Sequence, residues 1–184
     1  NNTINDAKAI EKSLKEMGYK TNLIADTNEN QLRKEIKRFA ISSEKASLAL
    51  FFYAGHGAQV FGENYILPTD LEIPHRESDI QLSGIKVDDI INSIKSKTKV
   101  IFLDACRDNP FKVAAAQPNG RGLANNPKMQ AVINASGVSP SNNAAIGQMV
   151  IYSASAGQQA LDNLGPNDPN PNGLFTRVFL EKMK

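Results

Sequence analysis

The sequence predicts an α/β fold in which a mostly parallel sheet is covered by helices on both faces. Residues 47–53, 100–103 and 148–155 are rich in apolar side chains without strict alternation, which is typical of strands buried on both faces. Segments with apolar residues at helical spacing alternate with these runs, as in α/β proteins. With 184 residues, 41% of them hydrophobic, the chain is long enough for one domain with a sizeable core.

The first third of the chain predicts two helices with a strand between them. Residues 5–17 have apolar side chains at helical spacing, and Gly18 follows where a helix end favours glycine. Residues 20–25 are predicted as a strand. Asp26 and Thr27 suit a helix N-cap, and the second helix is expected from its apolar positions, which are Leu32, Ile36 and Phe39.

The remaining elements follow the same alternation. Residues 47–53 predict a central parallel strand, and a glycine-rich bend then leads into a hairpin at 59–67. An acidic pair, Asp88 and Asp89, suits the N-terminus of a helix that carries Ile90, Ile91 and Ile94. Strands at 100–103 and 148–155 and a last helix at 174–183 complete the predicted fold.

Composition excludes several classes of function. The net charge is +2, and no clustered basic face predicts nucleic-acid binding. One cysteine and two histidines, far apart, provide neither a disulfide nor a zinc site, so no metal and no cofactor is expected. No run of about 18 apolar residues predicts a membrane span. No signal peptide is recognised, but this does not decide the compartment, which is left open with a slight preference for the cytoplasm.

Chemically useful side chains follow two of the apolar strands. The first strand leads into Ala54-Gly55-His56-Gly57, and the second leads into Asp104-Ala105-Cys106-Arg107. The carboxyl ends of neighbouring parallel strands lie at one edge of a sheet, where ligands bind. An imidazole beside a thiol can carry out covalent acyl transfer, with His56 as base and Cys106 as nucleophile. The amides of Gly57 and Cys106 could then form an oxyanion hole.

A plainer interpretation exists for each of these residues. A lone cysteine after a strand is more often an inert buried side chain, and Gly-His-Gly is more often a simple turn. The combination favours catalysis, because histidine and cysteine each occur at a strand end. Caspases carry their catalytic histidine about 50 residues upstream of the cysteine, and His56 is likewise 50 residues upstream of Cys106.

The chain resembles the caspase-like cysteine peptidases, specifically prokaryotic metacaspases, also called orthocaspases. The segments FFYAGHGAQVFGENYILPTD, VIFLDACRDNPF and MVIYSASAGQQALD carry the resemblance, together with Asn5-Asp6-Ala7 at the start of the first helix. It implies a three-layer caspase-like sandwich with His56 and Cys106 as the catalytic dyad. Residues 1–111 would correspond to the large subunit, 112–147 to a flexible linker that can be cleaved, and 148–184 to the small subunit.

The resemblance also implies which protein substrates are cleaved. Metacaspases use the aspartate two residues before the cysteine and that of the Asn-Asp-Ala motif to bind arginine or lysine before the scissile bond. Asp104 and Asp6 match these positions, and Asp162 stands near a position where caspases have an arginine. Grouped carboxylates attract a basic side chain and repel an acidic one. Each aspartate alone could equally be a helix cap or a surface charge. The residues assigned to the specificity pocket are Asp6, Asp104, Ser153, Ser155 and Asp162.

The linker composition agrees with a preference for basic residues. Residues 109–161 contain no Asp or Glu, so self-cleavage after an acidic residue is excluded there. Cleavage after Arg121 or Lys128 is expected, with Lys112 as a further candidate. The strand that the family has before the Asn-Asp-Ala helix is not in this sequence. Either the chain was clipped before that helix, or the strand comes from elsewhere, by association with an N-terminal strand or another domain.

Calcium activation, known in some metacaspases, is not predicted. Asp70, Asp88 and Asp89 stand near relevant positions, but Val113 replaces an expected acidic residue, and helix capping explains the Asp88 and Asp89 pair. His75 is expected to be solvated.

Two other functions are alternatives to a peptidase. One is a caspase-like adaptor or binding module with little turnover. The other is a flavodoxin-like ligand-binding domain, which would need a phosphate-binding glycine-rich loop after the first strand that the sequence lacks.

Overall fold

Five helices and six strands occur in the described parts of the computed structural model, which are residues 2–72, 74–105, 147–153 and 168–183. The helices are α1 (Asn2–Glu16), α2 (Glu29–Ser43), α3 (Glu77–Ser83), α4 (Val87–Ser93) and α5 (Leu174–Lys182). The strands are β1 (Leu48–Gly55), β2 (Gly57–Val60), β3 (Glu63–Ile66), β4 (Ile85–Lys86), β5 (Thr98–Ala105) and β6 (Gly147–Tyr152).

The main sheet is parallel, as the sequence predicts. Its described strands have the order β1-β5-β6, and every strand pair is parallel. The predicted central strand, β1, is therefore an outer strand of this described sheet, and β5 is the central one. This agrees with burial, because Ile101, Phe102 and Leu103 of β5 are all at most 5% exposed, whereas β1 residues are mostly half-buried.

Helices cover both faces of the main sheet, so the fold has three layers. On one face, α2 and α4 pack against alternate residues of all three strands, including Phe51, Ile101 and Val150. Phe39 of α2 lies on Phe51, with ring centroids 5.9 Å apart. On the other face, Phe102 contacts two rings of α5, with its centroid 4.4 Å from that of Phe179. Helix α1 packs beside α5 and against β1. The predicted three-layer α/β architecture is confirmed.

A small antiparallel sheet lies between β1 and α4 in the chain. Strands β2 and β3 form the predicted hairpin, and β4 pairs with β3. Phe61 and Gly62, both with positive φ, make the two-residue turn. The hairpin begins one residue after His56, so its first strand lies beside the end of β1.

Two predictions for the first third of the chain differ from the structure. Residues 20–25 are not a strand, because their backbone enters neither of the two sheets found in the described part of the chain, and a strand requires a partner for its hydrogen bonds. The second helix is capped by Asn28 rather than by Asp26 or Thr27. The Asn28 side chain accepts a hydrogen bond from the Gln31 N–H, and the Gln31 side chain accepts one from the Asn28 N–H. These two bonds form a capping box.

The predicted ends of the other helices agree closely with the structure. Gly18 has φ of 83° and follows α1 as a left-handed terminator. Asp88 and Asp89 occupy the first turn of α4, and Ile90, Ile91 and Ile94 are buried. Among the described residues, no helix is long and apolar enough to cross a membrane.

Candidate active site

The ends of β1 and β5 bring the His56 and Cys106 positions to the same edge of the sheet. The two parallel strands are paired along their full length, and the last pair joins Gly55 to Ala105. His56 follows Gly55 in the chain, and Cys106 follows Ala105. Cys106 itself lies outside the described residues, so the structure shows the strand that leads to the thiol and not the thiol.

The backbone of His56 is held firmly while its side chain is exposed. Its carbonyl oxygen accepts one hydrogen bond from the Tyr53 hydroxyl at 2.7 Å and another from the Leu67 N–H at 3.0 Å. Burial raises the pKa of Tyr53 above its usual value, so the phenol keeps its proton and acts as a hydrogen-bond donor at neutral pH. The imidazole is thus presented from an anchored backbone.

Gly55 leaves the space that the Tyr53 hydroxyl occupies. A Cβ atom at Gly55 would lie 2.6 Å from the Tyr53 Oη and 2.8 Å from its Cζ, which is closer than real contacts allow. Every other amino acid would therefore push the ring away from the His56 carbonyl. The sequence assigns no role to Tyr53 or Gly55, because the bond from Tyr53 to His56 spans the bend after β1 and has no periodic signal.

We expect Gly55→Ala to lower both stability and activity. Displacing the Tyr53 ring loses its bond to His56 and strains the end of β1, which should cost about 1–3 kcal/mol in the free energy of unfolding. Urea denaturation and peptidase rates measure the two effects. Gly147→Ala is the matched control in the same sheet, since its Cβ would meet only Thr98 at 3.5 Å. Equal effects of both substitutions would contradict a role for the Tyr53 bond.

Gly57, predicted to lie near the oxyanion hole, is the first residue of β2. It lines a narrow crevice together with Ala105 and Tyr152 from the ends of β5 and β6. Its conformation is that of a strand residue paired with Ile66, and it is not one of the described glycines with positive φ. The left-handed conformation that glycine permits is therefore not required here.

Two of the aspartates assigned to the specificity pocket, Asp6 and Asp104, converge on one point. A Cβ atom built on Gly173 would lie 3.0 Å from Oδ2 of Asp6 and 3.7 Å from Oδ2 of Asp104. The Oδ1 of Asp6 accepts hydrogen bonds from the Asn172 side chain and the Gly173 N–H, both at 2.9 Å. Asp6 is only 2% exposed, and Asp104 is half-buried. We call Asp6 and Asp104 the acidic pair.

The other predicted site residues are only partly described. Ser153 follows β6, and its N–H donates to the carbonyl of Leu103 at 3.0 Å, so it lies at the same end of the sheet. Its buried Oγ is without a hydrogen bond in the described part of the structure. Besides Cys106, five predicted residues lie outside the described ranges: the pocket residues Ser155 and Asp162, and the cleavage candidates Lys112, Arg121 and Lys128.

Sequence reasoning missed the segment that carries Asn172 and Gly173. Its sequence, Asp-Pro-Asn-Pro-Asn-Gly at 168–173, is the usual composition of a turn before a helix and gave no chemical signal. The only available hint was its position directly before α5. A contact between the two ends of the chain is a tertiary property that spacing does not reveal.

The acidic side chains near the calcium positions lie at the N-termini of helices. Asp70 accepts a hydrogen bond from the Glu29 N–H at the start of α2, and Asp88 and Asp89 lie in the first turn of α4. A cavity of about 290 Å³ beside Asp70 is lined also by His75 and Asp79, but by none of the residues predicted for catalysis. Among the described residues, no three His, Cys, Asp or Glu side chains are grouped as metal ligands.

Comparison with known protein families identifies the class to which this fold and site belong. The family model described as "Caspase domain" matches residues 1–184, the whole chain. The chain therefore belongs to the caspase domain family of cysteine peptidases, which excludes the flavodoxin-like alternative. Assignment to the metacaspase branch stays a prediction.

Two mammalian relatives share about a quarter of their residues with this chain where they align. The human mucosa-associated lymphoid tissue lymphoma translocation protein 1 is 27% identical over 105 residues, and its mouse homolog is 26% identical over the same length. Each match covers 55% of this chain and 12% of the relative, so the chain corresponds to a small part of those proteins.

Proposed function

We propose that the protein is a cysteine endopeptidase that cleaves protein substrates after arginine or lysine, with Cys106 as nucleophile and His56 as general base. The observation that carries the proposal is the acidic pair: oxygens of both carboxylates lie within 3.7 Å of one point, the position of a Cβ atom on Gly173, and Asp104 stands two residues before Cys106. The pairing of Gly55 with Ala105 supports the dyad, because it brings the positions before His56 and Cys106 side by side.

The chemistry proposed for the dyad proceeds through an acyl-enzyme. The His56 imidazole accepts the thiol proton, and the thiolate sulfur of Cys106 forms a bond to the carbonyl carbon. The C–N bond of the substrate then breaks, and the imidazolium returns the proton to the leaving amine. Water, deprotonated by His56, attacks the thioester, and the released sulfur regains a proton. Amides near Gly57 would stabilise the oxyanion in both steps.

The acidic pair would select the residue before the scissile bond through charge. A guanidinium or ammonium group beside Asp6 and Asp104 is attracted by both carboxylates, whereas an acidic side chain would be repelled by them. The burial of Asp6 strengthens this selection, since charge interactions are larger where water is excluded. The buried carboxylate is itself stabilised by two hydrogen-bond donors.

A panel of fluorogenic peptides tests the proposed function. Peptides with Arg, Lys, Asp or Ala before the scissile bond are assayed with and without calcium, and Cys106→Ala provides the background. We expect turnover of the Arg and Lys peptides that depends on Cys106. Preference for the Asp peptide would contradict the role of the acidic pair. Absence of any Cys106-dependent turnover in the full-length protein would favour the adaptor function instead.

Self-processing in the linker is a further prediction of this function. We expect the wild-type protein to be cut after Arg121 or Lys128 and Cys106→Ala to stay intact, because residues 109–161 offer basic but no acidic side chains. Intact-mass measurement locates the cut, and Arg121→Gln and Lys128→Gln show which bond is used. Equal fragmentation of wild type and Cys106→Ala would mean that a contaminating protease is responsible.

A further inference from the structure

The 168–173 segment before α5 is restrained by its own side chains. The Asp168 carboxylate accepts a hydrogen bond from the Asn170 N–H at 3.1 Å, and the Asn170 side chain accepts one from the Asn172 N–H at 3.0 Å. Pro169 and Pro171 each fix one φ angle. The segment is therefore a series of short turns with little backbone freedom.

Arg177, in the first half of α5, holds this segment to the helix. Its Nη2 lies 2.7 Å from Oδ2 of Asp168, and its Nε donates to the Asn172 carbonyl at 2.7 Å. The side chains of Arg177 and Asp168 are 17% and 8% exposed, which makes theirs the least exposed ion pair among the described residues. An ion pair shielded in this way is screened little by salt and fixes its geometry more firmly than a surface pair.

The segment that Arg177 fixes in turn holds Asp6. Asn172 and Gly173 supply both hydrogen bonds to Oδ1 of Asp6, and the Asn5 side chain donates to the Pro171 carbonyl at 3.1 Å. Two hydrogen-bond donors on Oδ1 fix the orientation of the Asp6 carboxylate. Its other oxygen, Oδ2, lies 3.0 Å from the position of a Cβ atom on Gly173, and Oδ2 of Asp104 lies 3.7 Å from the same position.

We propose that Arg177 and Asn172 are positioning residues for substrate selection, which hold the Asp6 carboxylate where a planar guanidinium can bridge it to Asp104. The inference rests on the proposed function. A guanidinium presents its donors in a rigid fork, so it gains from carboxylates at fixed positions. An ammonium group is a rotatable point charge and tolerates a displaced carboxylate better. Accurate placement of Asp6 therefore favours arginine over lysine.

The ratio of kcat/KM for matched Arg and Lys peptides tests the inference, using the full chain. In Arg177→Gln and Asn172→Ala, we expect kcat/KM for the Arg peptide to fall on the order of tenfold, and that for the Lys peptide to fall much less. Loss of folded protein would lower both rates together and leave the ratio unchanged. Arg177→Lys should restore part of the ratio, since it keeps the charge beside Asp168 but not the donor to the Asn172 carbonyl.

Arg33→Gln is the matched control. Like Arg177, Arg33 makes both an ion pair, with Glu29 at 2.8 Å, and a hydrogen bond to a backbone carbonyl, that of Gly84. It lies on α2 and not on α5. We expect it to leave the Arg-to-Lys ratio unchanged. Asn172→Ala leaves the ion pair intact and decides the question if Arg177→Gln does not fold.

The outcomes separate this inference from the proposed function. A wild-type enzyme that prefers basic residues, with an unchanged Arg-to-Lys ratio in the folded variants, overturns the positioning role alone. A wild-type enzyme without preference for Arg or Lys overturns both proposals.

Discussion

Replacing His56 by alanine is expected to lower kcat/KM for arginyl peptides by on the order of 10²–10⁴-fold, which is the usual contribution of a general acid and base. The physical reason is that the Cys106 thiol then lacks the base that removes its proton and the acid that protonates the leaving amine. The fold should remain intact, because the bonds that hold this turn involve the backbone carbonyl of His56 and not its exposed ring. Steady-state kinetics and thermal denaturation measure the two properties.

The dyad also predicts how two substitutions combine. If His56 and Cys106 act as a unit, His56→Ala combined with Cys106→Ala should be no slower than the more damaging single substitution. His75→Ala is the control, since His75 is exposed and its described hydrogen bond comes from the backbone N–H. Additive losses from the two single substitutions would mean that His56 supports the structure rather than the thiol.

Replacing Asp104 by asparagine is expected to lower kcat/KM for Arg and Lys peptides on the order of 30- to 5,000-fold, equivalent to about 2–5 kcal/mol for a shielded charge pair. Asparagine keeps the shape of the side chain and removes its charge, so the loss measures charge pairing with the substrate. An alanyl peptide should be affected much less. Rates for basic and alanyl peptides, measured side by side, give the selectivity directly.

Asp6→Asn provides the partner measurement for the acidic pair. If both carboxylates face one cation, the losses from Asp6→Asn and Asp104→Asn should not add, as expected of residues that share a ligand. Asp26→Asn serves as the control, because Asp26 is exposed and has φ of 49°, a conformation that asparagine tolerates. An unchanged rate for Asp104→Asn would remove Asp104 from the specificity site.

The parallel sheet could be predicted from the sequence because its strands are apolar on both faces. The segment that failed as a strand, residues 20–25, has a similar local pattern, but strand formation depends on a hydrogen-bond partner that no local pattern contains. The N-cap at Asn28 was missed for a related reason. Several residues near it are good caps, and the capping box with Gln31 decides between them.

The parts of the site that chain position determines were predictable, and those that depend on tertiary contacts were not. His56 and Asp104 follow or end apolar strands, so sequence alone placed both at one edge of the sheet. The link from Asp6 to Asn172 joins residues 166 positions apart, and the bond from Tyr53 to the His56 carbonyl depends on the bend after β1. Neither has a periodicity that a reader of the sequence could detect.

Under the proposed function, the anchoring of Asp6 makes substrate choice depend on completion of the fold. Its two donors lie 166 and 167 positions further along the chain. A nascent chain emerges from the ribosome amino-terminus first, so α1 is synthesised long before the residues that orient its carboxylate. Any truncation before residue 172 removes both donors together. An immature or shortened chain can therefore contain all three described strands of the main sheet and still lack the oriented Asp6 carboxylate.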